Sequence, residues 1–493
     1  MIKRIILLLT VFCLSFPFNF GLFAQHNIQI TMPAFAGDTL ILGHYFRESL
    51  IIQDSAILDA KGHGVFSGKK TLPSGLYLVY LPNKNRFDLL IDKNQKFSIV
   101  SDTIDLTRNT QITGDNENIL FYQYQNFIAN ERDKAINLQK SLNPSSSKED
   151  SALIKTKIEG INAEVFNYVK NLVDSNTGTF LSKFLIAMKE VEVPDPPRDS
   201  KGNITDSTFQ VRYYKSHYFE YFDLSDVRLL RTPFYEKKLM YYLDNLVIPM
   251  PDTVYKEVDH LIKISRADTF LFKYMLSTLF NYYANSKYIT MDAVYVYIAE
   301  KYYIPEANWS DRKFIADLQK RLIKIKPLLI GKTAPDVQLV HVSDEHFKIA
   351  AEDTSLKKNP YVGEFFNLKN IQAKYLLLYF WEADCGHCKK TIPELHAIYE
   401  RLKPVGVKVI AVHMLSGIPG KEKWVDFISS NNLYGWINAW NPYDFSYRDI
   451  YDVTSSNILF LFDKDKKIMA KRIDPEQAEQ IISDDIKKNK SGN

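Results

Sequence analysis

Residues 375–381 read YLLLYFW, seven apolar residues without a polar interruption, and the next nine are EADCGHCKK. A run of this kind does not lie half in water as an alternating strand does. It describes a strand buried on both faces, as in a parallel sheet covered by helices on either side. A helically spaced segment follows to about Arg401, and a second buried strand follows at 407–412. The C-terminal part of the chain must therefore build an α/β layer. It places Cys385 and Cys388 where a central strand hands over to a helix.

The 493 residues exceed what a single hydrophobic core holds, so several domains are expected. Residues 26–115 alternate in strand fashion: Ile28, Ile30 and Met32 form one run, and Leu76, Val79 and Leu81 belong to another. The segments 87–91 and 97–100 follow, separated by the turn-rich stretches PNKN and DKNQK. An antiparallel, sandwich-like β domain is predicted over 25–115. From 116 to 330 the period becomes helical, with segments near 117–140, 150–174, 178–190, 208–222, 234–246, 253–264, 267–285, 291–303 and 310–326. The polar SLNPSSSKED (141–150) and the proline-rich VPDPPRDSKGN (193–203) interrupt them. The aromatic stretch VRYYKSHYFEYF (211–222) reads as rings that pack helices together, with a sugar or peptide platform as the alternative. After Gly331, GKTAPDVQLV enters a strand. A helix near 421–430, a hairpin over 458–473 turning at Asp463–Lys466, and a final helix over 475–488 complete a domain at 331–493.

The first 24 residues form a unit of their own. Lys3 and Arg4 precede the apolar run 5–16, and Ala24 offers a small residue at a cleavage point. This is the pattern of a secretory signal peptide, and periplasmic export is expected, with association to the outer membrane left open. Removing Lys3 and Arg4 takes the basic count from 62 to 60 against 58 acidic residues, a net charge of +2. That balance favours neither nucleic acid nor an anionic membrane surface as a partner. Cleavage also removes Cys13, one of three cysteines, and leaves only the C-x-x-C pair. A secreted chain that used disulfides for stability would place them across long loops.

C-x-x-C at a helix start suits dithiol chemistry. The first thiol meets the unpaired N–H groups and the positive end of the helix dipole, and the second lies one turn in, able to resolve a mixed disulfide. His387, between them, stabilises the thiolate further when protonated and so tunes the potential. Zinc is the competing use of the spacing, but a structural site needs four ligands. No fourth cysteine exists, and the nearest histidines by sequence, His396 and His413, read as core or surface residues. Neither a metal nor a cofactor is expected.

The segment WEADCGHCKKTIPEL (381–395), preceded by GKTAPD (331–336), resembles the TlpA/ResA-type thiol–disulfide oxidoreductases of the thioredoxin superfamily. The order strand, cysteine-bearing helix, strand, helix, hairpin, helix matches that fold. Residues 193–219 and 223–234 resemble a helical domain of unknown function found beside such domains in Bacteroidota. The resemblance implies Cys385 as nucleophile and Cys388 as resolving thiol, protein disulfides or dithiols of the cell envelope as substrates, and a membrane electron donor as a further partner. Trp381, Gly386, Ser456 and Asn457 are the implied substrate contacts. The sequence departs from the family at two points. Asn457, after Ser456, stands where a cis-proline is usual, and Tyr379 stands where thioredoxin keeps a buried carboxylate, so Glu382 or Asp384 is expected to move the proton. The alternative reading is an envelope binding or assembly protein with a weakly active or structural thioredoxin-like domain.

Overall fold

The computed structural model of this chain describes residues 25–47, 49–142 and 147–491, so the export signal expected in 1–24 lies outside them. The described residues divide into two compact units, one within 25–246 with 264–271, the other within 247–263 with 272–491.

The first unit opens with eight strands: β1 (His26–Thr31), β2 (Thr39–Phe46), β3 (Ser49–Ile57), β4 (His63–Gly68), β5 (Gly75–Tyr80), β6 (Arg86–Ile91), β7 (Lys96–Val100) and β8 (Gln111–Thr113). They form two four-stranded sheets, ordered β4-β1-β7-β8 and β3-β2-β5-β6. Pairing is antiparallel except between β1 and β7. The exception follows from connectivity. The chain enters β7 from β6 in the other sheet, so no hairpin fixes its direction against β1.

The helices Asn116–Lys140, Lys148–Ser175, Phe180–Ala187, Phe209–His217 and Tyr235–Tyr241 complete this unit. Within 211–222, Tyr218 and Phe222 are buried. Tyr218 stacks on Tyr241 and Tyr242, and Phe222 meets Tyr235 edge-on. These rings join helices, as the packing reading expects.

One contact shows how the first of these helices is fixed. β6 is an edge strand, so the outward backbone groups of Leu90 have no strand partner. The side chain of Asn118 supplies one: Leu90 N–H donates to Oδ1 at 2.9 Å, and Nδ2 donates to Leu90 C=O at 2.7 Å. Asp115 caps the same helix by accepting from the Asn118 backbone. Asn118→Ala leaves both Leu90 groups buried and unpaired and should cost roughly 2–4 kcal/mol. All five tryptophans lie in the other unit, so far-UV circular dichroism in urea is the suitable readout. A loss below about 0.5 kcal/mol would show that the amide pair contributes nothing net.

In the second unit the helices Asp292–Ile298 and Arg312–Ile325 lead to a seven-stranded mixed sheet. Its strands are β9 (Gln338–His341), β10 (Glu364–Asn367), β11 (Tyr375–Trp381), β12 (Val407–His413), β13 (Ile437–Trp440), β14 (Ile458–Asp463) and β15 (Ile468–Lys471), in the order β10-β9-β13-β12-β11-β14-β15. β11, β12 and β13 run parallel, and the outer strands are antiparallel. Every residue of β11 is buried, as its composition requires, because two separate cores cover the two faces of this sheet. The β14–β15 turn is held by Asp463, whose Oδ1 accepts from the N–H groups of Asp465 and Lys467. The fold class is thus an N-terminal pair of β-sheets, a central helical region and a C-terminal α/β domain of the kind the resemblance implied. Elements the periodicity did not reveal are β10, β13 and the helices Asp344–Glu352, Thr354–Lys358 and Ser446–Ile450.

Candidate active site

β11 ends at Trp381, the chain turns through Glu382–Asp384, and Cys385 caps the helix Gly386–Leu402. Cys385 is extended in backbone, and its sulfur accepts from the N–H of Cys388 at 3.2 Å. The thiol thus occupies the position where a serine or aspartate cap usually satisfies the first free donors of a helix.

The two sulfurs have opposite environments. Cys385 is half-buried and Cys388 fully buried, and both are free thiols. Burial works against ionisation of Cys385. The Cys388 thiol, the Ser456 hydroxyl and the backbone N–H groups of Cys388 and His387 outweigh it and hold the thiol below its ordinary range. Burial, and then the hydrogen bond with Cys385, push Cys388 up to about 11. One sulfur is prepared to attack and the other is held as a thiol.

The remaining sequence-selected residues divide by position. Ser456 reaches Cys385 directly. Asn457 lies beside the end of β11 in a left-handed conformation, φ 67°, with a trans peptide before it. Its N–H donates to Phe380 C=O at 2.8 Å, and its Oδ1 accepts from the Tyr379 hydroxyl at 2.7 Å. Gly386 is exposed and faces open space, leaving the approach to the sulfurs clear. The His387 ring is exposed, and its contribution at Cys385 comes from the backbone N–H.

Glu382 also acts through its backbone. Its C=O accepts from Cys385 N–H at 3.2 Å, and its N–H donates to Cys388. Asp384 is turned to Lys423 in an exposed ion pair at 2.6 Å. Trp381, expected to touch substrate, is instead completely buried, with its ring on His413 and Phe427. As the last residue of a strand covered on both faces, it supports the loop from beneath and offers substrate no surface.

His413, read from the sequence as a core or surface histidine, lies in the core beside the site. It is fully buried and accepts from Ala383 N–H through Nε2 at 3.3 Å, which holds the loop one residue before Asp384. Burial pushes its pKa down to about 3, so it stays neutral. Nearby, Lys421 is fully buried without a hydrogen-bond partner. Its Nζ lies 5.4, 4.9 and 5.2 Å from the ring centres of Phe347, Trp424 and Trp440. Among the described residues, no three His, Cys, Asp or Glu side chains converge as a metal site.

Residues 145–317 match the model of a domain of unknown function, DUF5106, and residues 330–470 match that of the AhpC/TSA family. Sporulation thiol-disulfide oxidoreductase A of Bacillus subtilis is 27% identical over 125 residues, covering 24% of this chain and 68% of that protein. The thiol-disulfide oxidoreductase ResA of Oceanobacillus iheyensis is 29% identical over 105 residues, covering 21% of this chain and 45% of that one. Among solved structures, a thioredoxin-like protein from Bacteroides caccae covers 59% of this chain and 98% of its own at 19% identity and a TM-score of 0.41. A domain of a possible thiol-disulfide isomerase from Cytophaga hutchinsonii is 28% identical, covering 34% of this chain and 98% of its own, with a TM-score of 0.28. Both of these relatives are named thiol–disulfide oxidoreductases, and the capped, asymmetric dithiol is the arrangement that chemistry requires. The C-terminal part of the chain is therefore TlpA/ResA-like, a thioredoxin-superfamily domain carrying the dithiol of a thiol–disulfide oxidoreductase.

Proposed function

We propose that this enzyme is exported and exchanges disulfides with proteins of the cell envelope through Cys385 and Cys388. The observation that carries the assignment of roles is the opposed burial and ionisation of the two sulfurs. The Cys385 thiolate attacks a disulfide of the partner protein. A Cys385–partner bond forms, the partner's own S–S bond breaks, and the leaving sulfur takes the electron pair and then a proton from water. Cys388, as thiolate, next attacks Cys385. The internal disulfide forms, and the second partner sulfur leaves as a thiolate. Two electrons have moved from the protein dithiol to the partner disulfide, and the reverse sequence oxidises a partner dithiol.

The basic start and apolar run of residues 1–24, and the loss of every cysteine but this pair on their removal, support export. The names of the curated relatives support protein thiols as substrates. Ser456 and Asn457, beside Cys385, are the positions against which a partner backbone docks, with Gly386 keeping the approach open. For Glu382, a Gln variant that exchanges disulfides at the wild-type rate would exclude its carboxyl from proton transfer.

Thiol trapping in glutathione buffers of known ratio tests the proposal. A single internal disulfide should form at a potential within or near the range from about −270 mV, the thioredoxin value, to about −180 mV, the isomerase value. The upper end assigns oxidation or reshuffling of envelope disulfides, and the lower end assigns reduction fed by a membrane donor. A pair that stays reduced at every ratio would overturn the dithiol mechanism.

A further inference from the structure

Tyr379 is the side chain of β11 placed to assist Cys388. It lies on β11, fully buried in the same core cluster as Cys388, and its hydroxyl donates to Asn457 Oδ1 while lying close enough to the Cys388 sulfur for each to shift the other's acidity. A phenol carries one proton and cannot donate to both at once. While Cys388 is a thiol, the better acceptor is the Asn457 carbonyl, and the proton lies there at 2.7 Å. Once Cys388 is a thiolate, the anion is the stronger acceptor.

We propose that Tyr379 stabilises Cys388 as a thiolate during resolution of the mixed disulfide, and that Asn457 holds the Tyr379 hydroxyl between turnovers. The inference rests on the dithiol exchange set out above and adds a second protein group acting on the resolving sulfur. Cys388 gives its proton to water, and the Tyr379 O–H turns from Asn457 to the new thiolate. The thiolate attacks Cys385 Sγ, the Cys385–partner bond breaks with its electron pair on the partner sulfur, and the hydroxyl returns to Asn457. Tyr379 ends each cycle with its own proton, because burial and the neighbouring sulfur both oppose its ionisation.

This pairing accounts for both departures from the family pattern together. The phenol occupies the place of the buried carboxylate, and the residue in the place of the proline is the one that orients it. Asn457 is suited to the task because Asn tolerates the left-handed backbone found here and presents an inward carbonyl. Around Cys388 the titratable groups are Cys385 on its own helix and Tyr379 on β11, and Glu382 approaches through its backbone N–H.

Ellman's reagent mixed with the reduced full-length protein separates the two steps. The first release of chromophore reports attack by Cys385, and the second reports resolution by Cys388. Tyr379→Phe removes only the hydroxyl. One hydrogen bond to a charged group predicts a second phase slower by tenfold to roughly a hundredfold at neutral pH, with the first phase within about twofold of wild type. The pH midpoint of the second phase should rise. Asn457→Gly, which keeps the left-handed backbone and deletes the competing acceptor, should lower that midpoint.

A Tyr379→Phe protein with normal first and second phases overturns the role of Tyr379 and leaves the dithiol mechanism standing. A wild-type protein that never forms the Cys385 mixed disulfide overturns both. Equal upward shifts in the two variants would overturn the holding role of Asn457.

Discussion

Replacing Cys385 with serine should reduce insulin-disulfide exchange by at least about a thousandfold, to the uncatalysed background, because a serine hydroxyl does not ionise at neutral pH. Cys388→Ser should behave differently. Its Cys385 is still capped by the helix N–H groups and still attacks, but nothing resolves the product, so a covalent Cys385–partner adduct accumulates and survives gel electrophoresis without reductant. The contrast is the informative part, since two equivalent thiols would give two equivalent variants. Alkylation of Cys385 in the Cys388→Ser protein adds the pH dependence. Its hydrogen-bond donors hold the thiol below the ordinary range. Its reactivity should therefore persist at pH values under the usual cysteine midpoint of about 8.5 and fall only as pH drops through the depressed one. The Cys388 thiol is itself one of those donors, and the serine hydroxyl that replaces it donates from the same position, so the midpoint in this variant reports the donors as a set. A midpoint at or above 8.5 would remove the helix cap and Ser456 from the account of Cys385.

Lys421→Met should stabilise the second unit. The Lys421 amine is enclosed by Phe347, Trp424 and Trp440, and burial lowers its pKa from 10.5 to about 7. Below pH 7 the ammonium is buried in the folded state and hydrated in the unfolded one. From burial alone that difference is unfavourable by roughly 3–5 kcal/mol, and the attraction of the three ring faces offsets part of it. Between pH 7 and 10.5 the unfolded chain holds a proton that the folded chain has released, so wild-type stability rises with pH across this window. Methionine has nearly the same reach and no charge. The variant should gain most at pH 7 and below, and its advantage should shrink toward pH 10.5. His346 and His413, the other titratable groups facing the amine, have pKa values lowered by burial and titrate below this window. Tryptophan fluorescence during urea unfolding follows this unit alone, since all five tryptophans belong to it. Equal stability of the two proteins at pH 7 would mean that the buried amine is solvated in a way the aromatic enclosure does not provide.

Lys421 also shows where sequence reading stopped short. The helix Gly417–Ser430 buries Lys421, Trp424, Val425 and Ile428, a spacing of three and four. The lysine therefore lies in the apolar stripe, and that register was the available signal. Its neighbours Glu422 and Lys423 mask it, because a lysine among charges reads as a solvated face. β13 was lost for a related reason. INAW is four residues long and carries a buried asparagine, too short a run for a period to emerge. Trp381 is implied as a substrate contact by the family resemblance, and its place at the end of a strand covered on both faces buries it instead.

The sequence by itself determined what depends on neighbours along the chain. The central strand is legible because seven consecutive apolar residues admit one environment. The helical segments are legible because spacing of three and four repeats over several turns. The cap at Cys385 is legible because C-x-x-C at a helix start brings both sulfurs within one turn. Tertiary structure decided what depends on strand order. β11 lies between β12 and β14, so the residue that precedes β14 pairs its backbone with Phe380. That adjacency brings Asn457 to a tyrosine 78 positions away, and no local pattern encodes it. The same folding leaves Cys385 at the surface and encloses Cys388. Burial, which no residue fixes alone, thereby separates the acidities of two thiols that are identical in sequence terms.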